Sequence, residues 1–281
     1  MREAPSKDKA NKFPHLIFIR FHRGIGEHRI KMKTFRFIGA AMLAAIMCVN
    51  FTSCSKDEDP IVEGAGDVVA GSKKLAKVVS DAETYTFNYD DEGRLTAASQ
   101  VAFGGEYGDS YKYEYDFLWG DDVVKVNELY SEGSSSHKTS YTYTLEGGRI
   151  QSSSDGLTFT YNNSNKFVKG TDGDYTTAAI WDGTKLVSLS YNDGEELSLN
   201  YGKTCKNGYS PFIPLLVDFG CDILFMAHPE IAGMSTNQLP TSWSTNQKTV
   251  TVTYEFDKDG YVSKMAANLG GQSLTYTFTW K

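Results

Sequence analysis

The residue best placed for covalent chemistry is Cys54. Basic Lys33 and Arg36 precede an apolar run from Phe37 to Val49, and Phe51-Thr52-Ser53 lead into the thiol. A basic stub, an apolar stretch and small residues ahead of a cleavage point describe a secretory signal peptide. Elsewhere the chemistry is sparse. His137 and His228 are the only histidines beyond Cys54, and neither has a motif partner for a Ser-His-Asp site. The acidic pairs Asp90-Asp91, Asp121-Asp122, Asp172 with Asp174 and Asp257 with Asp259 have the side chains for glycoside hydrolysis or Ca²⁺ binding. They also fall where hairpin turns require Asp, Asn and Gly, and no full calcium-loop spacing accompanies them, so the turn reading is preferred. Alternating Tyr and Phe residues read as the packed face of a sheet. Trp119 and Trp181, at hairpin ends, are the better candidates for ligand contact. No enzyme and no cofactor is expected.

The remaining cysteines divide by location. Cys48 leaves with the signal, while Cys205 and Cys221 stay. An exported location permits a disulfide between them. Two buried thiols fit equally, since cysteine packs as a small apolar residue. Their spacing does not suit zinc, which wants paired short spacings and more ligands.

These residues are held by distinct segments. Met32-Lys33-Thr34 opens a typical basic stub, so residues 1–31 read as an over-long gene start and 32–53 as the signal. The apolar run is too short for the roughly 20 residues of a membrane-crossing helix. Residues 54–72 are a flexible tether, with Glu63-Gly64-Ala65-Gly66 and Gly71-Ser72 and no apolar periodicity. The chain carries 28 Lys+Arg and 35 Asp+Glu, of which ten bases and three acids precede Ser55, leaving 18 bases against 32 acids. A surface of that charge repels nucleic acid.

From residue 73 to 281 one unit recurs. Thr84-Tyr85-Thr86-Phe87-Asn88-Tyr89 alternates as a half-buried strand does. Asp90-Asp91-Glu92-Gly93 supplies a turn, and Arg94-Leu95-Thr96-Ala97 starts the return strand. The grammar repeats at Tyr141–Ile150, Leu157–Val168, Ala179–Val187 and Val250–Ser263, and Tyr111–Asp116 is a further strand. A lone hairpin cannot bury its aromatic face, so the hairpins must join one antiparallel meander of about a dozen or more strands. Such a sheet curls under its own twist. Residues 202–246 break the pattern. Ser210, Pro211 and the apolar stretch Phe212–Ala227 predict one or two short buried helices broken near Gly220.

Four resemblances follow. Cys54 behind Phe51-Thr52-Ser53 resembles the lipid-attachment site of bacterial lipoproteins, and the adjacent Lys56, Asp57, Glu58 and Asp59 resemble the surface-export signal of Bacteroidota lipoproteins. Tyr89-Asp90 followed by Gly93-Arg94-Leu95 is similar to the tyrosine-aspartate repeats of Rhs-type shell proteins. The hairpins together with the proline-flanked apolar insertion and Asn237-Gln238-Leu239-Pro240 resemble a family of Bacteroidota surface lipoproteins of unknown function with a porin-like fold.

The expectation is therefore an all-β domain, a strongly curved or nearly closed barrel-like sheet plugged by a small helical insertion. It would be a monomer, tied to the outer membrane by its N-terminal lipid and facing the exterior. Its role would be non-enzymatic binding or structural, with a glycan or another surface protein as partner. A secreted glycan-active hydrolase and an outer-membrane pore are the alternatives. The pore would turn an apolar belt outward, whereas Thr, Ser and charged residues occupy the second face of most strands.

Overall fold

The computed structural model describes residues 73–102, 110–173, 175–192, 194, 196–205, 222–245, 248–269 and 271–281. The signal segment, Cys54, the export residues Lys56–Asp59, the tether, Cys221 and the predicted helix start at Ser210-Pro211 lie outside them.

Sixteen antiparallel strands form a closed up-and-down barrel. They are β1 (Leu75–Val79), β2 (Glu83–Tyr89), β3 (Leu95–Ala102), β4 (Tyr111–Trp119), β5 (Val123–Glu132), β6 (Ser135–Glu146), β7 (Arg149–Ser153) and β8 (Leu157–Tyr161). The second half comprises β9 (Phe167–Asp172), β10 (Tyr175–Asp182), β11 (Lys185–Tyr191), β12 (Glu196–Thr204), β13 (Gln238–Ser244), β14 (Thr249–Phe256), β15 (Val262–Leu269) and β16 (Gln272–Trp280). β1 closes on β16, with Val78 opposite Phe278. Lys74 and Lys281 exchange both main-chain bonds, at 2.7 and 2.9 Å, just beyond that seam.

Alternation decides which face is covered. In β4, Tyr113, Tyr115 and Phe117 are buried while Lys112, Glu114 and Asp116 are exposed. In β14, Val250, Val252 and Tyr254 are buried between exposed threonines. The buried face is the inner one, because it receives the helix α1 (Asp222–Ala227). Ile223, Leu224, Phe225 and Met226 are all buried, and the Phe225 ring lies 6.2 Å from Tyr143 and 5.8 Å from Phe159. An apolar helix of this kind needs cover on every side.

The insertion is shorter than the pattern break suggests. β12 runs to Thr204 and β13 begins at Gln238, so strand takes both ends of the 202–246 segment. Pro240 sits inside β13 although it cannot donate to a ladder. The β12–β13 pairing shifts register at Tyr201, opposite Pro240, and absorbs the missing donor.

The hairpin turns explain two of the acidic pairs, those at Asp90 and Asp257, and Asn162 plays the same part in a third turn. Asp90 Oδ1 accepts the N–H of Glu92 and of Arg94; Asn162 Oδ1 accepts those of Ser164 and Lys166; Asp257 Oδ1 accepts those of Asp259 and Tyr261. In each turn the fourth residue, Gly93, Asn165 or Gly260, has positive φ of 77°, 61° or 83°, the left-handed conformation that Gly and Asn tolerate. The bonds from Arg94 hold the Asp90 carboxyl below its ordinary range.

A second device recurs at the same end. An aromatic residue at or near the end of an even strand donates to a main-chain carbonyl on the preceding odd strand. Tyr89 bonds Leu75, Trp119 bonds Leu95, Trp181 bonds Phe167, Tyr201 bonds Leu186, Tyr254 bonds Pro240 and Trp280 bonds Val262, all between 2.6 and 2.9 Å. Tyr161 does the same to Ile150. β6, which carries Leu145 there, uses its main-chain N–H to Asp122 instead. Burial pushes the hydroxyls of Tyr89, Tyr161, Tyr201 and Tyr254 well above their ordinary range.

Two outcomes are expected. Phe225→Ala should cost about 3–5 kcal/mol, the usual loss for a buried ring, read as a large fall in thermal midpoint; a midpoint within a degree of wild type would place α1 outside the core. The tyrosine hydroxyls favour the folded state fully below their unfolded pKa, near 10, and that contribution disappears as pH rises through their higher folded values. Alkaline titration should therefore give one cooperative step, in which tyrosinate absorbance rises together with loss of the β circular-dichroism signal.

Candidate functional site

The two barrel ends differ. Odd strands run away from the end where β1 begins, and even strands return to it. The segment after α1 runs along that end. Leu95, Ile150 and Phe167, at the starts of β3, β7 and β9, give their N–H groups to His228 Nε2 (3.1 Å), Ile231 O (2.9 Å) and Gly233 O (3.1 Å). Thr236 Oγ1 donates to Thr184 O at 2.7 Å, Cys205 N donates to Asn237 O at 2.8 Å, and Lys166 Nζ donates to Ser235 O. Gly233 has φ of 66°, and a Cβ there would stand 2.7 Å from Phe167 N and 2.8 Å from Asn165 O. No other residue lets the segment approach the rim so closely.

His228 is built into this cap. Its Nε2 accepts from Leu95, so its proton sits on Nδ1, which donates to Glu230 Oε1 at 2.8 Å. Edge contacts to Trp119 at 5.4 Å and Tyr89 at 6.0 Å complete its surroundings. Burial works most strongly on the Glu230 carboxyl and raises it, yet the bond from His228, its own main-chain N–H and nearby Lys74 together outweigh burial and hold the group below its ordinary range. Both ring nitrogens are thus taken by structural bonds.

The sequence candidates occupy this end as well. Trp119 donates to Leu95 O beside His228, and Trp181 donates to Phe167 O with the Lys166 ammonium 5.3 Å from its ring. They stand on β4 and β10, six strands apart, and are not brought into one site. Cys205 is buried with Sγ 3.5 Å from Asn237 O. His137 belongs to strand β6, opposite Tyr130 on β5. It lies at the far end of the barrel from His228.

That far end is the one the sequence reading passed over. Register aligns Glu83, Ala102, Tyr111 and Glu132 across β2 to β5, and Tyr85, Gln100, Tyr113, Tyr130 and His137 in the next inward row across β2 to β6. Glu83 is buried at 7% exposure. Its Oε2 accepts from Tyr85 Oη at 2.7 Å and Gln100 Nε2 at 2.8 Å, and Gln100 Nε2 is 3.1 Å from Tyr85 Oη. The Tyr113 ring lies 4.9 Å from Tyr130 and 5.7 Å from Tyr111. Tyr130 donates to Glu132 Oε2 at 2.6 Å. Burial, helped by that carboxylate, pushes the Tyr130 hydroxyl up to about 12. β6 outruns its neighbour: β7 is in register only with Tyr143–Glu146, and inward Thr139 and Tyr141 are half exposed beyond it. The available signal was phase, since Glu83, Glu128 and Glu132 share the inward parity of Tyr85, Phe87, Val124 and Val126.

No protein-family model and no curated protein matches the chain. Among solved structures, a porin-like protein from Bacteroides uniformis ATCC 8492 is similar over 74% of this chain and 95% of its own, at 18% identity and a TM-score of 0.51. A porin-like protein from Bacteroides vulgatus ATCC 8482 aligns over 70% of this chain and 77% of its own, at 13% identity and a TM-score of 0.28. The first likeness establishes a porin-like fold, as the resemblance implied.

A double substitution tests the cap. Glu230→Gln should weaken the His228 bond and lower stability above pH 5, where the depressed carboxyl is ionised, by about 1 kcal/mol. As pH falls through the folded pKa of Glu230, wild type loses the same contribution and the two melts converge. If His228→Ala already abolishes the bond, adding Glu230→Gln should cost little more.

Proposed function

We propose that this protein is a lipid-anchored, surface-exposed outer-membrane protein whose barrel works in water, as a non-enzymatic binding or structural module. The carrying observation is the polarity of the two sheet faces. A membrane-spanning barrel turns an apolar band to lipid and a polar face to its lumen. Here the inward face is aromatic and buried, while Lys112, Glu114, Asp116, Lys125, Thr158, Thr160, Thr251 and Thr253 face outward and are exposed. Among the described residues the exposed large apolar side chains are Leu118 and Val123 on the β4–β5 hairpin, Ile180 and Val187 on β10–β11, and Phe256 on β14; the strands between these three places interrupt them, so they form no continuous belt. A lysine facing lipid at the midplane costs about 2–4 kcal/mol, so this exterior favours water.

The chain's path supports the anchor. Lys73, the first described residue, is fastened at the capped end. Its ammonium bonds Asp257 at 3.1 Å and also Asp259, and its N–H donates to Tyr261 Oη at 2.7 Å. A tether from Cys54 therefore enters beside the cap, and the tyrosine-lined end points away from it. The second reading is an outer-membrane pore, which the porin-like fold favours.

Cys54→Ala should abolish incorporation of labelled fatty acid and release the protein from membranes; equal labelling of the mutant would overturn the anchor. Replacing Lys56, Asp57, Glu58 and Asp59 with alanine should leave lipid in place but protect the protein from external protease. The delipidated protein should stay soluble without detergent and give no conductance in planar bilayers. Detergent-dependent solubility with pore currents would establish the second reading instead.

A further inference from the structure

We infer that the tyrosine-lined end binds a small organic polycation, with ammonium groups held by carboxylates and an alkyl stem lying on tyrosine rings. The inward positions of β2 to β6 carry Glu83, Glu128, Glu132 and His137, and no lysine or arginine. A buried carboxylate is expensive unless fully bonded or paired with a cation. Glu83 has neither. Only Oε2 is bonded, to Tyr85 and Gln100, and Oε1 has no partner among the described residues. A native fold with no use for that charge would be more stable with an apolar residue in its place.

The neighbours define the ligand. Glu83 and Glu132 end one inward row, with Ala102 and Tyr111 between them. Three strand spacings separate them, roughly 14 Å, too far for one ammonium to bridge. Between them Ala102, buried at 6% exposure, brings no charge of its own. Tyr111, Tyr113 and Tyr130 pack ring to ring beside it, and the negative faces of such rings attract cations and accept alkyl chains. The Tyr130 hydroxyl donates to Glu132 and fixes that carboxylate at the tip of the hairpin. Carboxylate, aromatic floor and carboxylate in sequence match an extended diamine or triamine. A neutral sugar would use the rings but leave Glu83 without a counter-charge.

This inference deepens the binding reading above and is independent of the anchor. Titration of the purified, delipidated full mature chain in solution tests it, whereas failed lipidation or export would leave it standing. The probe is spermidine, followed by calorimetry at low salt. Wild type should bind, with affinity falling as salt rises. Glu83→Gln and Tyr130→Leu should each weaken binding about tenfold. Glu114→Gln, on the outward face beside Lys112, should leave it unchanged. If Glu83→Gln fails to fold by circular dichroism, Tyr130→Leu at the half-exposed tip decides. No binding by wild type, or equal weakening in all three variants, overturns the inference. So does a neutral oligosaccharide binding at Tyr130 where spermidine does not.

Discussion

Every strand of this barrel turns aromatic and aliphatic side chains to the same side, and that surface has to be kept from water. Sixteen strands enclose more room than their own side chains fill in small barrels, and cylinders of this size ordinarily carry an aqueous channel. Here Val78, Leu95, Val124, Val126, Ile150, Phe167, Leu186 and Leu189 are at 0% exposure. Covering them requires a further apolar element inside, and the insertion between β12 and β13 provides it. Burial of this kind is worth about 25 cal/mol per Å² of apolar surface, so closure of the sheet and docking of α1 are one event. A barrel without its insertion would expose an aromatic lining, and an insertion without its barrel would be an apolar peptide with nothing to receive it.

The cap converts that burial into a unique register. Hydrophobic packing is non-directional and leaves a strand free to slip. Hydroxyl and indole bonds to single carbonyls are directional. Seven even strands each carry, at or near their end, an aromatic residue that bonds near the start of the odd strand before it, and the segment after α1 bonds the starts of β3, β7 and β9 from within. Gly233 shows how tight the fit is, because its neighbours leave no space for a Cβ. Stability is therefore concentrated at one end, and the opposite end is built without that lattice.

This asymmetry explains what the sequence disclosed. Period-two alternation located the strands, since Thr84–Tyr89 and Tyr111–Asp116 each present one apolar face. The Asx turns at Asp90 and Asp257 were legible because their Asp and Gly spacing is local. The insertion's ends were misjudged, because residues 202–204 and 238–244 join strands through pairing across 34 or more positions, which no local pattern reports. Trp119 and Trp181 drew attention as large aromatics at hairpin ends, yet their indole N–H groups serve carbonyls on neighbouring strands. Their partners, Leu95 and Phe167, are 24 and 14 residues distant. The Glu83 row escaped notice for the same reason: it is assembled from four strands by register alone.

Consistency between levels is what makes a sequence specify a fold, and departures from it mark where something besides folding is being served. The capped end is consistent throughout, with aromatic phase, Asx turns, left-handed glycines and directional clasps all agreeing. At the far end the inward phase admits Glu83, Gln100, Glu128 and Glu132 among tyrosines, and the β5–β6 hairpin extends past β7 with half its inward face uncovered. Valine at each of those positions would extend the core and lower the cost of burial. Retaining carboxylates there departs from the apolar inward face of most other strands, among which Asp172 on β9, opposite Leu157 and Tyr175, is a further inward carboxylate. A barrel whose capped end holds Lys73, and whose polar, tyrosine-rich end lies opposite, has the arrangement that the proposed anchor and the proposed binding end would require.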